Sequence, residues 1–231
     1  MNVRSNLDRM AKEAARENRQ QLASAGVVAV NILGAPGCGK TSLLHASIQG
    51  LLLKRRIGIV RADPHCQCDR PQKLGDQLVH VDTGARVAMT PGDLRRALAE
   101  LNLSSLDLLL IENVSSPTGP ENVDLGEQAK VAVYSVAAGN DKVGKYPELV
   151  RRARLIILNK IDLNLMTPFD RAAFRRTVAR FNPEAQVLEL SMSTGQGVDA
   201  WLDWLIQNTH RASGTGRMGG DSGIRQRGGL S

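Results

Sequence analysis

Aromatic side chains are scarce in this 231-residue chain, which holds two Trp, two Tyr and three Phe. Proteins that grip single-stranded nucleic acid stack bases on aromatic platforms, and here there is little material for that. No apolar run approaches the roughly 20 residues of a membrane-spanning helix. The stretch from Met1 to Gln20 carries charges where a secretory signal would place its apolar segment. The cysteines, Cys38, Cys66 and Cys68, are too few and odd in number for a disulfide framework. These absences predict a cytoplasmic protein with neither a nucleic acid nor a membrane as its partner.

What charge there is sits at the ends. The net charge is +7, but residues 1–20 hold five basic and three acidic groups and residues 210–231 hold four basic and one acidic, so the body is nearly balanced. Apolar residues make up 42% of the chain, enough for one core in a domain of this length. The expected organisation is an amphipathic helix packed on the body over 1–24, a nucleotide-binding domain over 25–210, and a disordered Gly/Arg-rich tail over 211–231.

The body alternates apolar runs with helical patterns. Within the first helix, expected from about Asn6 to Ala23, the residues Leu7, Met10, Ala14 and Leu22 fall near one side. Val27 to Leu33 is a continuous apolar run, the signature of a strand buried on both faces of a parallel sheet. Further strands are expected at 58–63, 78–81, 107–112, 129–136, 155–159 and 186–190. Thr90-Pro91 and Thr167-Pro168 read as helix starts, each a capping hydroxyl followed by proline at the first helical position, opening helices at about 91–101 and 168–181. A last helix over Val198 to Gln207 presents Trp201, Leu202 and Leu205. This order gives an α/β fold with a doubly wound, mostly parallel sheet, of the P-loop NTPase kind.

Chemistry concentrates where strands end. Gly34-Ala-Pro-Gly37-Cys38-Gly39-Lys40-Thr41 follows the first strand and opens a helix. Its glycines allow a tight turn whose N–H groups converge on phosphates, Lys40 reaches the β/γ-phosphates, and Thr41, followed by Ser42, offers a hydroxyl to Mg²⁺. Cys38 is read as a small loop residue. Asn159-Lys160-Ile-Asp162 closes the strand LIILN. There the Asp162 carboxylate can accept both N1–H and the exocyclic amine of guanine, a pattern adenine lacks. Asn159 is expected on the purine edge, with the Lys160 stem over a face of the base. Ser191 and Met192, after the next strand, take the place of a base-supporting loop. The nucleotide is therefore GTP.

Carboxylates complete the phosphate end. Glu112 ends LDLLLIE as a Mg²⁺-holding acid, Asp63 ends the second strand, and Asp69 lies in the loop beyond. Lys40, Asp63 and Glu112 form the expected catalytic set, with Asp63 positioning water. His65, Cys66 and Cys68 supply soft ligands for a transition metal, Ni²⁺ or Zn²⁺, that a second protomer would complete.

Beyond these motifs, LLLIENVSSPTGPENVDLGE at 108–127, KVAVYSVAAGNDKVGKYPELV at 130–150, LNKIDL at 158–163 and STGQGVDAWLDWL at 193–205 make the chain resemble the hydrogenase nickel-incorporation GTPases, the HypB family, within the dimerising SIMIBI class of P-loop GTPases. The resemblance covers about residues 5–206. It implies a nucleotide-dependent homodimer that assists nickel insertion into a metalloenzyme, most directly a [NiFe]-hydrogenase, with other maturation proteins and the client as partners. It also implies Asp63 and Asp69 in one nucleotide-sensing loop and Glu112 in a second. Where the family carries a Cys-His pair this sequence has Val87 and Ala88, and Gly119 stands where a further cysteine is expected. That loss favours a second reading, a GTPase chaperone for another metalloenzyme without its own metal site; a third reading is a GTP-binding assembly switch that does not hydrolyse.

Overall fold

The computed structural model describes residues 3–63, 77–83, 88–113, 123–145 and 147–215. Its centre is a seven-stranded sheet of β1 (Val28–Gly34), β2 (Ile57–Asp63), β3 (Gln77–Asp82), β4 (Leu108–Glu112), β5 (Ala129–Ser135), β6 (Leu155–Asn159) and β7 (Gln186–Glu189). The spatial order is β3-β2-β4-β1-β5-β6-β7 and every ladder is parallel. The chain starts at the middle strand, winds outward to one edge, returns through β4, then winds to the other. A ligand crevice forms where that direction reverses, beyond the carboxyl ends of the central strands. Gly34, Glu112 and Asn159 end three of those strands.

Helices cover both faces. Val28, Val30 and Ile32 of β1 point to a core roofed by α2 (Lys40–Leu51) and α7 (Val198–Thr215). There Trp201 is fully buried, stacks on Trp204 and donates its indole N–H to Ser47 Oγ at 2.8 Å. Gly50 permits this approach, since a Cβ on it would lie 2.4 Å from Leu202 Cδ1. On the opposite face Ala29 meets Leu22 of α1 (Val3–Ser24) and Leu94, Ala97 and Leu98 of α3 (Pro91–Ala99), while Leu33 meets a cluster from α4 (Asp141–Lys145), α5 (Pro147–Arg152) and α6 (Arg171–Phe181). Between the two clusters lies a buried polar group, in which Asn31 donates to Glu127 and Glu127 pairs with Lys130. Burial of that pair is tolerable because Leu125 N–H and Val123 C=O supply the remaining partners.

Three sequence expectations change. The first-helix stripe does not dock along its whole length: Leu7 and Met10 are exposed, and the docked face is Ala14, Ala15, Asn18 and Leu22. Asn18 fastens it, donating to Pro91 O at 2.9 Å and Leu125 O at 2.8 Å. Thr90-Pro91 does open α3, through a reciprocal capping box with Asp93. Thr167-Pro168 does not open α6. Thr167 instead closes a 3₁₀ segment, Ile161–Met166, and Asp170 caps the helix by accepting from Ala173 N–H at 2.8 Å. Finally, α7 continues past Gln207 to Thr215.

Candidate nucleotide-binding site

The glycine loop is shaped by contacts that forbid side chains. A Cβ on Gly34 would lie 2.6 Å from both Val133 O and Cys38 Sγ, and Gly37 and Gly39 have φ of 75° and 103°. Gly39 is also the N-cap of α2 and offers no side chain to the first-turn amides, in contrast with the Thr90–Asp93 capping box of α3 and the Asp170 cap of α6. Uncapped N–H groups at a helix N-terminus form a ready anion site. Lys40 is buried, its ammonium donating to Gly34 O at 2.7 Å and Ala35 O at 3.1 Å across the mouth of the loop. Burial pushes the Cys38 thiol pKa up, which keeps it protonated at neutral pH.

Facing the start of α2 is a cavity of 350 Å³ lined by Gly39, Ser42, Asn159, Lys160, Asp162, Leu163, Met192 and Ser193. Lys160 adopts a left-handed conformation, φ 63°, which turns the chain from β6 into the 3₁₀ segment carrying Asp162. Ser191, fully buried, donates its hydroxyl to Asp162 Oδ1 at 2.5 Å. That hydrogen bond holds the Asp162 carboxyl below the usual carboxylate range, so the group is a fixed anion at neutral pH. Asn159, expected on the purine edge, lines this cavity and is itself held by protein groups. It is 1% exposed, and its amide donates to Cys38 O at 2.8 Å while its oxygen accepts from Lys160 N at 2.7 Å and Met192 N at 3.3 Å. Asn159 is the tie that joins the phosphate loop, the base loop and the 191–197 loop.

At the other side of Lys40 the Thr41 hydroxyl donates to Glu112 Oε1 at 2.7 Å. Arg61, which the sequence reading passed over, completes a triad: its Nη2 donates to Thr41 Oγ1 at 3.0 Å and its Nε lies 3.0 Å from Glu112 Oε2. The latter contact is an ion pair without hydrogen-bond alignment, so buried Oε2 has no aligned donor. A hydroxyl and a carboxylate side by side, one oxygen free of a hydrogen bond, are the hard donors that suit Mg²⁺. Asp63 ends β2 in register with Asp82 of β3, at the same end of the sheet. Asp69, His65, Cys66, Cys68, Val87 and Gly119 lie outside the described residues. Among the described residues no group of three His, Cys, Asp or Glu side chains is arranged to hold a metal ion, and no helix is long and apolar enough to cross a membrane.

An uncapped glycine loop between a central strand and a helix, a base cavity floored by NKID, and a Thr–Glu pair beside the loop lysine together define a P-loop nucleotide-binding domain of the GTPase kind. The chain belongs to the CobW/HypB/UreG nucleotide-binding domain family, whose pattern matches residues 28–189. It is 36% identical over 84% of its length to the probable hydrogenase maturation factor HypB of Methanocaldococcus jannaschii, of which it covers 89%. It is also 36% identical to the hydrogenase maturation factor HypB of Azotobacter vinelandii over 83% of this chain, spanning 64% of that longer protein. The crystal structure of HypB from Archaeoglobus fulgidus superimposes with a TM-score of 0.81 at 34% identity, covering 87% of this chain and 98% of that one. HypB from Helicobacter pylori in complex with nickel shares the fold, TM-score 0.82 at 24% identity, covering 87% and 96%.

Proposed function

We propose that this chain binds and hydrolyses GTP with Mg²⁺ and couples that cycle to nickel insertion into a metalloenzyme, most directly a [NiFe]-hydrogenase. The observation that carries the nucleotide half is the Asn159 junction, which sets Asp162 and the first turn of α2 around one cavity. The uncapped amides of α2 and Lys40 bind and neutralise the phosphates, and Asp162 selects guanine. Mg²⁺, held by Thr41 and Glu112, would supply further positive charge to the phosphoryl oxygens. Asp63 is the group assigned to orient the attacking water.

The maturation half is supported by relatives that carry the name hydrogenase maturation factor and by a distant one crystallised with nickel. In this reading the chain works in the cytoplasm as a nucleotide-dependent homodimer, with other maturation proteins and the client enzyme as partners. Its cargo site is His65, Cys66 and Cys68, since Val87, Ala88 and Gly119 offer no ligand where the family carries Cys and His. The same substitutions favour a second reading, a GTPase chaperone without its own metal site.

The test is complementation: in a host whose own factor is deleted, wild-type chain restores nickel content of the hydrogenase large subunit and Lys40→Ala does not. Equal restoration by both removes the GTPase from nickel delivery. Equilibrium Ni²⁺ binding to wild type and to a His65/Cys66/Cys68 triple substitution separates the two cargo readings, equal affinity favouring the second.

A further inference from the structure

β2 and β4 are neighbouring parallel strands in a register that sets Arg61 directly opposite Glu112. Both residues continue the series of side chains that point to the α2 side of the sheet, after Ile57 and Ile59 on one strand and Leu108 and Leu110 on the other. The guanidinium is thereby brought under the first turn of α2, onto the same two oxygens that suit a divalent cation. It donates to Thr41 Oγ1 at 3.0 Å and lies 3.0 Å from Glu112 Oε2, while Thr41 itself donates to Glu112 Oε1 at 2.7 Å.

Burial explains why a cation is needed there. The Glu112 side chain is 7% exposed, and a carboxylate so far from water requires a counter-charge. The Lys40 ammonium is engaged by Gly34 and Ala35 carbonyls. Among the described residues the cation in contact with Glu112 is Arg61, whose side chain keeps 26% exposure and so has a path back to solvent.

We infer that Arg61 is a resident cation in the divalent-metal position: it neutralises Glu112 and orients Thr41 while metal is absent, and it must withdraw before Mg²⁺ can reach the same oxygens. A guanidinium and a divalent ion cannot share these donors, because their charges repel and the Thr41 oxygen already accepts from Arg61. Arg61 therefore sets the metal concentration at which the nucleotide site becomes complete. The inference rests on the guanine-nucleotide reading above and adds to it a determinant of metal dependence.

The test uses Mn²⁺ as the probe, followed by electron paramagnetic resonance on the full chain saturated with GDP. Arg61→Gln is expected to lower the Mn²⁺ concentration at half-saturation about tenfold, the equivalent of one lost charge-assisted contact. Arg61→Lys, which keeps a charge on a shorter reach, is expected between the two. Mant-GDP binding by each protein is measured in parallel samples without added GDP. Tight mant-GDP binding with identical Mn²⁺ midpoints in all three proteins overturns the inference alone, whereas no mant-GDP binding by wild type removes the nucleotide reading and this inference with it. A measurement on wild type guards against a variant that fails to fold. The Arg61 Nε–H signal in a ¹⁵N spectrum is expected to shift toward that of a solvated arginine when Mg²⁺·GDP is added, and an unmoved signal contradicts the displacement.

Discussion

Replacing Asn159 by alanine separates holding the site together from touching the base. The side chain is 1% exposed and makes three hydrogen bonds, from its amide to Cys38 O and to its oxygen from Lys160 N and Met192 N. Each contributes about 0.5–1.5 kcal/mol net, and the buried partner groups left behind raise the cost, so the expected loss is about 2–4 kcal/mol. In a chain of this size that lowers the melting midpoint by roughly 5–15 °C. Asp162→Ala serves as the contrast. Its carboxylate lines the cavity on an exposed residue, so the midpoint should move much less while mant-GDP affinity collapses. The assay is thermal denaturation by circular dichroism with parallel mant-GDP titration of wild type and both variants. If Asn159→Ala melts with Asp162→Ala and loses only nucleotide affinity, Asn159 is a base contact after all and the junction argument fails.

Other consequences follow from the same geometry. Asp162→Asn exchanges an acceptor for a donor and should shift preference from GTP toward XTP in competition binding. Because the Ser191 hydrogen bond depresses the Asp162 pKa, guanine affinity should be fully present through the ordinary carboxylate range and fall only below it; in Ser191→Ala, GDP titrations at a series of pH values should show the loss beginning at higher pH. Gly39→Ala forces a side chain into φ 103° with its Cβ 2.1 Å from Asn159 Nδ2, and denaturant unfolding should register a loss of about 2–4 kcal/mol. Asn18→Ala removes the two bonds that pin α1 to Pro91 and Leu125, so limited proteolysis should cut within α1 sooner while nucleotide affinity is retained.

Much of this architecture is written plainly in the chain. Strands of a parallel sheet are buried on both faces, so VAVNILG, LLLIE and LIILN announce themselves as largely apolar runs, interrupted within by Asn31 alone, and the functional loops follow them directly. What stays hidden depends on pairings that no local pattern reports. Arg61 reads as a charge interrupting GIVRAD until β2 is laid beside β4 and the register puts it on Glu112. Asn159 reads as half of a base-recognition motif, and only the approach of Cys38 O, 121 residues away in sequence, shows that its amide is already used. The α6 start failed for a local reason: Asp170 competes with Thr167-Pro168 as a cap, and the preceding 3₁₀ segment takes Thr167 as its own end. Leu7 and Met10 continue the apolar spacing of α1 beyond the point where the body stops beneath it.

If the loop from Gly34 to Thr41 and the NKID strand end form one GTP-hydrolysing site, phosphate release from GTP and from ATP under Mg²⁺ at equal enzyme concentration reads it out. Phosphate release is expected from GTP, little from ATP, and none from either in Lys40→Ala. Equal rates on the two nucleotides would contradict guanine selection by Asp162, and tight GTP binding with no phosphate released would make the chain a switch rather than an enzyme.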